Sequence, residues 1–116
     1  MQLIDFLNSK PIFYKKIDYK YINRSFEIVK SHIHLPKKII HIVGTNGKGS
    51  TGRFLAHYLC KSGYDTLHYS SPHILKFNER IWINGNNSKD KKLNQAHKRL
   101  QKILPNKLIR RLSYFE

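Results

Sequence analysis

Apolar residues follow several rhythms along this chain. Leu3 to Leu7 reads as a short amphipathic helix stopped near Pro11. Ile22, Phe26, Val29 and Ile33 recur at spacings of four, three and four, which predicts one helical face over 22–34, ended by Pro36. Ile39-Ile40-His41-Ile42-Val43 then breaks that period. A nearly unbroken β-branched run followed at once by glycine predicts a strand buried on both faces of a parallel sheet. Over 50–62, Phe54, Leu55, Tyr58 and Leu59 share a helical face, and Gly63 stands where a C-cap belongs. Thr66–Tyr69 reads as a second strand. Strand, glycine loop, helix and strand make a βαβ unit, so the expected class is α/β with a parallel sheet. Ser70–Asn78 is expected to be a loop centred on Pro72, and Arg80–Ile83 a strand-like piece carrying Trp82. Asn84-Gly85-Asn86-Asn87 is the turn that ends it, and Lys91–Leu104 a helix stopped by Pro105. No internal repeat or low-complexity tract interrupts this order.

Composition narrows the picture. The 116 residues are 40% apolar and 12% aromatic, enough for a folded core in one small domain or a piece of a larger one. No apolar run approaches the roughly 20 residues that cross a bilayer. The N-terminus has Asp5 and no basic stretch ahead of its apolar residues, unlike a secretory signal. Cys60 is the one cysteine, so no internal disulfide forms and a reducing, cytoplasmic setting is expected. Charge is lopsided: 22 Lys+Arg against 7 Asp+Glu give 22 − 7 = +15. Such a balance favours polyanions, including nucleotide phosphates and nucleic acid. From Lys89 to Arg111 the bases crowd together with Asp90 as the lone acid. That stretch reads as a solvated helix face, as an anion-binding surface, or as one part of a longer protein whose other segments carry the balancing acids.

The chemistry concentrates in Gly44-Thr45-Asn46-Gly47-Lys48-Gly49-Ser50-Thr51, between the first expected strand and its helix. Glycines allow a tight turn and bring backbone N–H groups up to a ligand. The helix N-terminus adds unsatisfied donors and partial positive charge. Lys48 adds a full charge, and Ser50 or Thr51 a hydroxyl for Mg²⁺, which together suit a nucleoside triphosphate. The generic P-loop pattern fits imperfectly, because Ile42 stands where its first glycine belongs and Gly49 follows the lysine. Gly47, Gly49 and Gly52 also spell G-x-G-x-x-G, but the acidic residue that a dinucleotide site wants is replaced by Ser70 and Ser71. A glycine-rich turn with no ligand is the third reading.

These residues resemble a known family. Gly44–Ser50 is similar to the nucleotide loop of the folylpolyglutamate synthase and dihydrofolate synthase branch of the Mur ligase superfamily. The block Tyr69-Ser70-Ser71-Pro72-His73-Ile74-Leu75-Lys76-Phe77-Asn78-Glu79-Arg80-Ile81, followed by Asn84-Gly85, resembles the family's S-P-H-L…E-R-I…N-G block. Leu112-Ser113-Tyr114-Phe115-Glu116 resembles its L-T-Y/F-F-E. The likeness covers Ile39 to Glu116, with a weaker echo over Tyr14–Val29, where the glycine that the family often has near Asp18 is missing.

The resemblance implies a P-loop-type three-layer fold with a parallel sheet, residues 1–116 forming the N-terminal portion of the ATP-binding central domain. It implies an ATP- and Mg²⁺-dependent ligase. The carboxylate of dihydropteroate or folate is phosphorylated, and the amine of L-glutamate attacks the acyl phosphate to make an amide. Lys48 is the implied catalytic residue, and Thr45, Asn46, Gly47, Lys48, Gly49 and Ser50 the nucleotide-binding set. Ser71 and Ser50 are implied at the metal, and His73, Phe77, Arg80, Ser113, Tyr114, Phe115 and Glu116 at the substrate. Tyr and Phe rings suit stacking on a flat pterin, and Glu116 can accept from its N–H groups. None of the seven acids follows an apolar strand run in the Walker-B manner. The family's remaining metal ligands and its C-terminal glutamate-binding domain are expected beyond Glu116, so the chain reads as an N-terminal fragment inactive by itself. The complete enzyme is expected to be a cytoplasmic monomer with small-molecule partners and neither membrane nor nucleic acid.

Two alternatives remain. A Mur-type ligase of peptidoglycan precursors shares the loop, but the Ser-Pro-His and Tyr-Phe-Glu blocks speak against it. A small basic nucleic-acid-binding protein would use the charge but leave the glycine loop idle, and the basic stretch has few interleaved aromatics. His57 and His68 are expected to be partly buried structural residues and Cys60 a packed thiol. His32 and His34 point different ways on a helix and do not form a metal pair.

Overall fold

A computed structural model describes all of residues 1–116. In chain order the elements are α1 (Leu3–Asn8), α2 (Lys20–Lys30), α3 (Lys48–Lys61), β1 (Leu67–Tyr69), a 3-10 turn (Phe77–Arg80), β2 (Ile81–Ile83), β3 (Asn86–Asn87), α4 (Asp90–Ile103) and α5 (Asn106–Arg111). The chain divides into two compact units. One comprises Met1–Lys37 with Asn94–Glu116, the other Lys38–Leu93.

The first unit is helical. Leu7, Leu104, Leu108 and Ile109 are its buried apolar residues, and α2 packs on α5. The Leu3 N–H donates to Asn94 Oδ1 at 2.8 Å. Lys10 ties the unit together: its Nζ donates to the carbonyls of Ile109 and Leu112, which α5 leaves without intrahelical partners, and sits 5.0 Å from the Phe6 ring centre. Burial lowers the Lys10 pKa, and the Glu116 carboxylate opposes that shift. Helix α2 ends at Lys30, short of the expected His34. The Ser31 hydroxyl donates to the Ile28 carbonyl (2.8 Å) and His32 Nδ1 lies 2.9 Å from it, so side chains take the acceptor that would close the next turn. Its most buried residue is Ser25, while Phe26 is exposed, so the packed stripe is rotated from the expected face.

The second unit packs α3 against a small antiparallel sheet of order β1-β2-β3. Leu67, His68 and Tyr69 face Ile83, Trp82 and Ile81; Trp82 and Ile83 face Asn87 and Asn86. Asn84 (φ 46°) and Gly85 (φ 107°) form the two-residue turn between β2 and β3. Both central residues have positive φ, the geometry that makes Asn-Gly the preferred hairpin pair. The expected irregular turn over 84–87 is therefore a hairpin whose second half is β3. Trp82, 2% exposed, is the core of this unit. The His57 ring meets it edge-on at 4.8 Å and the Arg53 guanidinium lies 5.3 Å from its ring centre. Helix α3 buries Gly52 and Ala56 and turns Phe54 and Tyr58 outward, so its packed face is the small-residue one. Small residues let the helix come close to β1: a Cβ at Gly52 would lie 2.5 Å from His68 Nε2.

The α/β class holds, but the strands present are antiparallel. Ile39–Val43 joins no strand, and Ile39 and Val43 are each 77% exposed. A strand covered on both faces needs hydrogen-bonded neighbours on both edges and a layer on each side. The strands of this unit satisfy one another locally instead, through the hairpin and through loop 70–80.

Candidate active site

The glycine loop runs into α3 as its position demands. Gly47 is the N-cap residue in left-handed conformation (φ 75°), and no side chain caps the helix. The first helical hydrogen bond runs from the Thr51 N–H to the Gly47 carbonyl at 2.9 Å. The amides of Lys48, Gly49 and Ser50 therefore lie in the first turn, where an α-helix offers unsatisfied donors and positive potential. No atom lies within 4 Å of a Cβ built at Gly47 or Gly49, so the ground above the turn is open. Lys48 Nζ folds back onto the loop, donating to the carbonyls of Gly44 (2.6 Å) and Thr45 (3.3 Å). Thr45 to Thr51 are all exposed.

Loop 70–80 belongs to the same unit and is closed on itself. The Ser70 N–H donates to the Arg80 carbonyl at 2.9 Å, joining its two ends. Ser71 is exposed and precedes Pro72 through a cis peptide bond. Arg80 is buried; its Nε donates to His73 Nδ1 at 2.8 Å and its guanidinium lies 5.7 Å from the Phe77 ring centre. His73, Phe77 and Arg80 are thus gathered in one cluster, with the His73 and Phe77 rings edge to face at 6.1 Å. Asn78 Nδ2 donates to the Ser88 carbonyl and to Asp90 Oδ1, both at 2.7 Å, which fixes the far side of the loop.

Arg53 connects α3 to this region. Its Nε donates to His68 Nδ1 at 3.1 Å and its Nη2 to the Glu79 carbonyl at 3.5 Å. Burial, helped by the Arg53 charge, lowers the His68 pKa and keeps the ring neutral as an acceptor. Of the two histidines expected to be partly buried, His68 is half-buried, whereas His57 is exposed, with its ring against the edge of Trp82. Cys60 is half-buried.

Ser113, Tyr114, Phe115 and Glu116 lie in the other unit. Ser113 is buried, and its N–H donates to Glu116 Oε2 at 2.7 Å. The Tyr114 N–H donates to the Tyr14 hydroxyl at 3.1 Å, and the Tyr114 and Phe115 rings meet edge to face at 4.9 Å. Ser113 Oγ and Glu116 Oε1 are buried with no hydrogen-bond partner, acceptors of the kind a polar ligand satisfies. A shallow hollow lined by Lys16, Ile17, Asp18, Tyr19, Lys20 and Asn23 lies in this unit too and includes none of the motif residues.

Glu79 and Arg53 escaped the sequence reading as organisers. Glu79 stands third in a turn headed by Lys76, where a capping box would have Ser or Thr, so the usual signal is absent. Arg53 carries no sequence signal at all, since its partners are distant in the chain.

No family model matches the chain. Among curated proteins, dihydrofolate synthase/folylpolyglutamate synthase of Bacillus subtilis is 50% identical over 54 residues, 45% of this chain and 13% of the relative. The protein of the same name from Haemophilus influenzae is 32% identical over 108 residues, 88% of this chain and 24% of the relative. Helicobacter pylori folylpolyglutamate synthetase superposes with a TM-score of 0.83 at 38% identity, over 97% of this chain and 29% of that one. An FPGS–AMPPCP–folate complex superposes with a TM-score of 0.78 at 30% identity, over 97% and 28%. The chain thus spans less than a third of the length of these relatives. In sequence and in fold, the family to which this chain is related is that of the folylpolyglutamate and dihydrofolate synthases.

Proposed function

We propose that these residues form the nucleotide-binding and folate-facing part of an ATP-dependent ligase that adds L-glutamate to folate or dihydropteroate, within a longer polypeptide. The observation that carries this reading is the uncapped start of α3. A left-handed Gly47, open space above the turn and a lysine beside free helix-end donors suit a polyphosphate. A relative solved with AMPPCP and folate, matching 97% of this chain, points the same way.

In this reading Thr45–Ser50 cradle the nucleotide. Lys48 exchanges its two loop carbonyls for phosphate oxygens and neutralises charge as the γ-phosphoryl group passes to the substrate carboxylate. Glutamate's amine then displaces phosphate from the acyl phosphate, giving the amide. The chain's contribution is positioning and electrostatics, which is what a phosphoryl transfer asks of a protein. The residues present fit a divalent ion only in part: the Ser50 and Ser71 hydroxyls are exposed, and no group of three His, Cys, Asp or Glu side chains is gathered. Mg²⁺ would be held by those two hydroxyls and the phosphates, and when bound it would draw off phosphate charge. His73, Phe77 and Arg80 face the substrate from loop 70–80. Ser113, Tyr114, Phe115 and Glu116 supply rings for a pterin and acceptors for its N–H groups.

In the whole ligase Ile39–Val43 pairs as a parallel strand, which would cover its exposed side chains and complete the three-layer, P-loop-type architecture. In this reading the whole enzyme is a cytoplasmic monomer; in the chain itself no helix is long and apolar enough to cross a membrane. The 116 residues alone do not turn over.

Calorimetric titration of the chain with AMPPCP tests the reading. Lys48→Ala should weaken binding by about 10- to 100-fold, the range for losing hydrogen bonds to a charged group. Binding indifferent to Lys48→Ala, or no binding by the unsubstituted chain, would refute it.

A further inference from the structure

Loop 70–80 is organised around the Glu79 side chain. Glu79 Oε2 accepts the Ile74 N–H at 2.9 Å, and Glu79 Oε1 accepts the N–H groups of Leu75 (2.7 Å) and Lys76 (2.8 Å). Three successive amides point inward at a single carboxylate. Such a concavity of N–H groups binds anions, and here the protein's own side chain fills it. The Glu79 N–H returns the bond to the Lys76 carbonyl at 3.0 Å.

This anchor has two consequences. With their amides turned in, Ile74 and Leu75 point their side chains out, at 89% and 86% exposure. A loop usually hides such residues or lets them move; this one holds them on a fixed backbone. The second consequence concerns His73, next to the anchored amides. Arg80 Nε donates to His73 Nδ1, so the neutral ring carries its proton on Nε2 and can donate from there.

We propose that Glu79 is a positioning residue: its carboxylate holds loop 73–78 in the one conformation that sets His73 as an Nε2–H donor, with Ile74 and Leu75 as an apolar edge, against the folate-class substrate. This rests on the function proposed above and extends it to residues that function did not use. His73 Nε2–H suits a carboxylate or carbonyl oxygen, and the two aliphatic side chains suit the face of an aromatic ring. The amide bonds from Ile74, Lys76 and Leu75 hold the Glu79 carboxyl below the ordinary carboxylate range, against the opposing effect of burial. From α3, Arg53 reaches the same residue by donating to the Glu79 carbonyl at 3.5 Å. The anchor is therefore charged throughout the neutral range.

The test uses the ¹⁵N-labelled 116-residue chain with Glu79→Ala and Glu79→Gln, the latter keeping the shape and one acceptor oxygen. Two quantities are read: hydrogen exchange of the Ile74, Leu75 and Lys76 amides, and affinity for folate and for AMPPCP. The amides should exchange at least about tenfold faster in Glu79→Ala and less so in Glu79→Gln, as expected for losing hydrogen bonds to a charged acceptor. Folate affinity should fall in the same order while AMPPCP affinity stays put. Unchanged amide exchange in Glu79→Ala overturns the anchor. Faster exchange with unchanged folate affinity overturns the positioning role and leaves Glu79 as architecture. An unsubstituted chain with protected amides and no folate binding overturns the proposed function and, with it, the positioning role, while the anchor stands. Spectra unchanged outside loop 70–80 establish that each variant is folded, and global unfolding of Glu79→Gln would overturn a role confined to the loop.

Discussion

Adding a single methyl group at Gly52 probes the contact that holds α3 on the sheet. A Cβ there would lie 2.5 Å from His68 Nε2 and 3.3 Å from two ring carbons. Ordinary carbon contacts begin near 3.5 Å, so the ring has to move by about an ångström. It is not free to do so cheaply, because His68 Nδ1 accepts from Arg53 Nε, and Arg53 in turn stacks on Trp82. Overpacking costs about 1–3 kcal/mol. The charge-assisted hydrogen bond is worth roughly 1.5 kcal/mol more. Against this, alanine in place of a helical glycine returns up to about 1 kcal/mol. Gly52→Ala should therefore destabilise the chain by about 1.5–3.5 kcal/mol, which lowers its urea midpoint by roughly 1–2 M for a slope near 1.5 kcal/mol/M. Gly49→Ala is the matched control: it sits in the same helix, nothing lies within 4 Å of its Cβ, and it should be neutral or stabilising. Far-UV circular dichroism in urea reads both. Midpoints that move together, or a Gly52→Ala chain as stable as the original, would refute the close approach of α3 to His68.

Two other expectations follow from the core. Trp82→Ala removes the buried centre of the sheet unit and the surface on which His57 and Arg53 stack; a loss of about 3–5 kcal/mol is a large share of what a chain this size holds, so thermal melting should show residues 38–93 unfolded near room temperature. His68 and His97 both have lowered pKa values, from burial first, then from Arg53 for the one and the N-terminal ammonium for the other. A depressed pKa means that the unfolded chain takes up the proton first, so this stability is complete above the ordinary imidazole range and drains away as the pH falls below it. Urea midpoints should drop between pH 8 and pH 5, and replacing both histidines with glutamine should flatten that slope.

Much of the local structure was legible because it is written in short-range terms. Helix α4 runs over Asp90–Ile103, within a residue of the span expected ahead of Pro105, and the glycine loop met α3 where the helix-start chemistry placed it. The hairpin was half-legible: Asn84-Gly85 marked the turn, but two polar asparagines gave no sign of β3. What failed were inferences that needed to know what lies across from a residue. Phe54 and Tyr58 look like a buried face by spacing, yet the sheet takes Gly52 and Ala56 because only small side chains allow the approach. Ile39–Val43 has the composition of a central strand, but composition cannot supply neighbours. Helix α5 follows Pro105, read as a stop, whereas proline is also a good residue from which to begin a helix. In the candidate site, the glycine loop and the Ser-Pro-His block stood out as segments of sequence. The bonds that organise them, from Arg53 and Glu79, did not, because each side chain reaches partners that sequence spacing does not relate.

The bare run at Ile39–Val43 also governs how the free chain behaves in a tube. Unpaired β-branched backbone is a template for the same stretch in another copy, the first step toward fibres. Two features hold it back. Lys37 and Lys38 stand immediately before it as gatekeepers, and the +15 surplus makes every copy repel the next. That repulsion reaches only about 10 Å at 0.1 M salt and shrinks further above it. Dilute, low-salt buffer therefore keeps the molecules apart, and salting-out would drive them together through this stretch first.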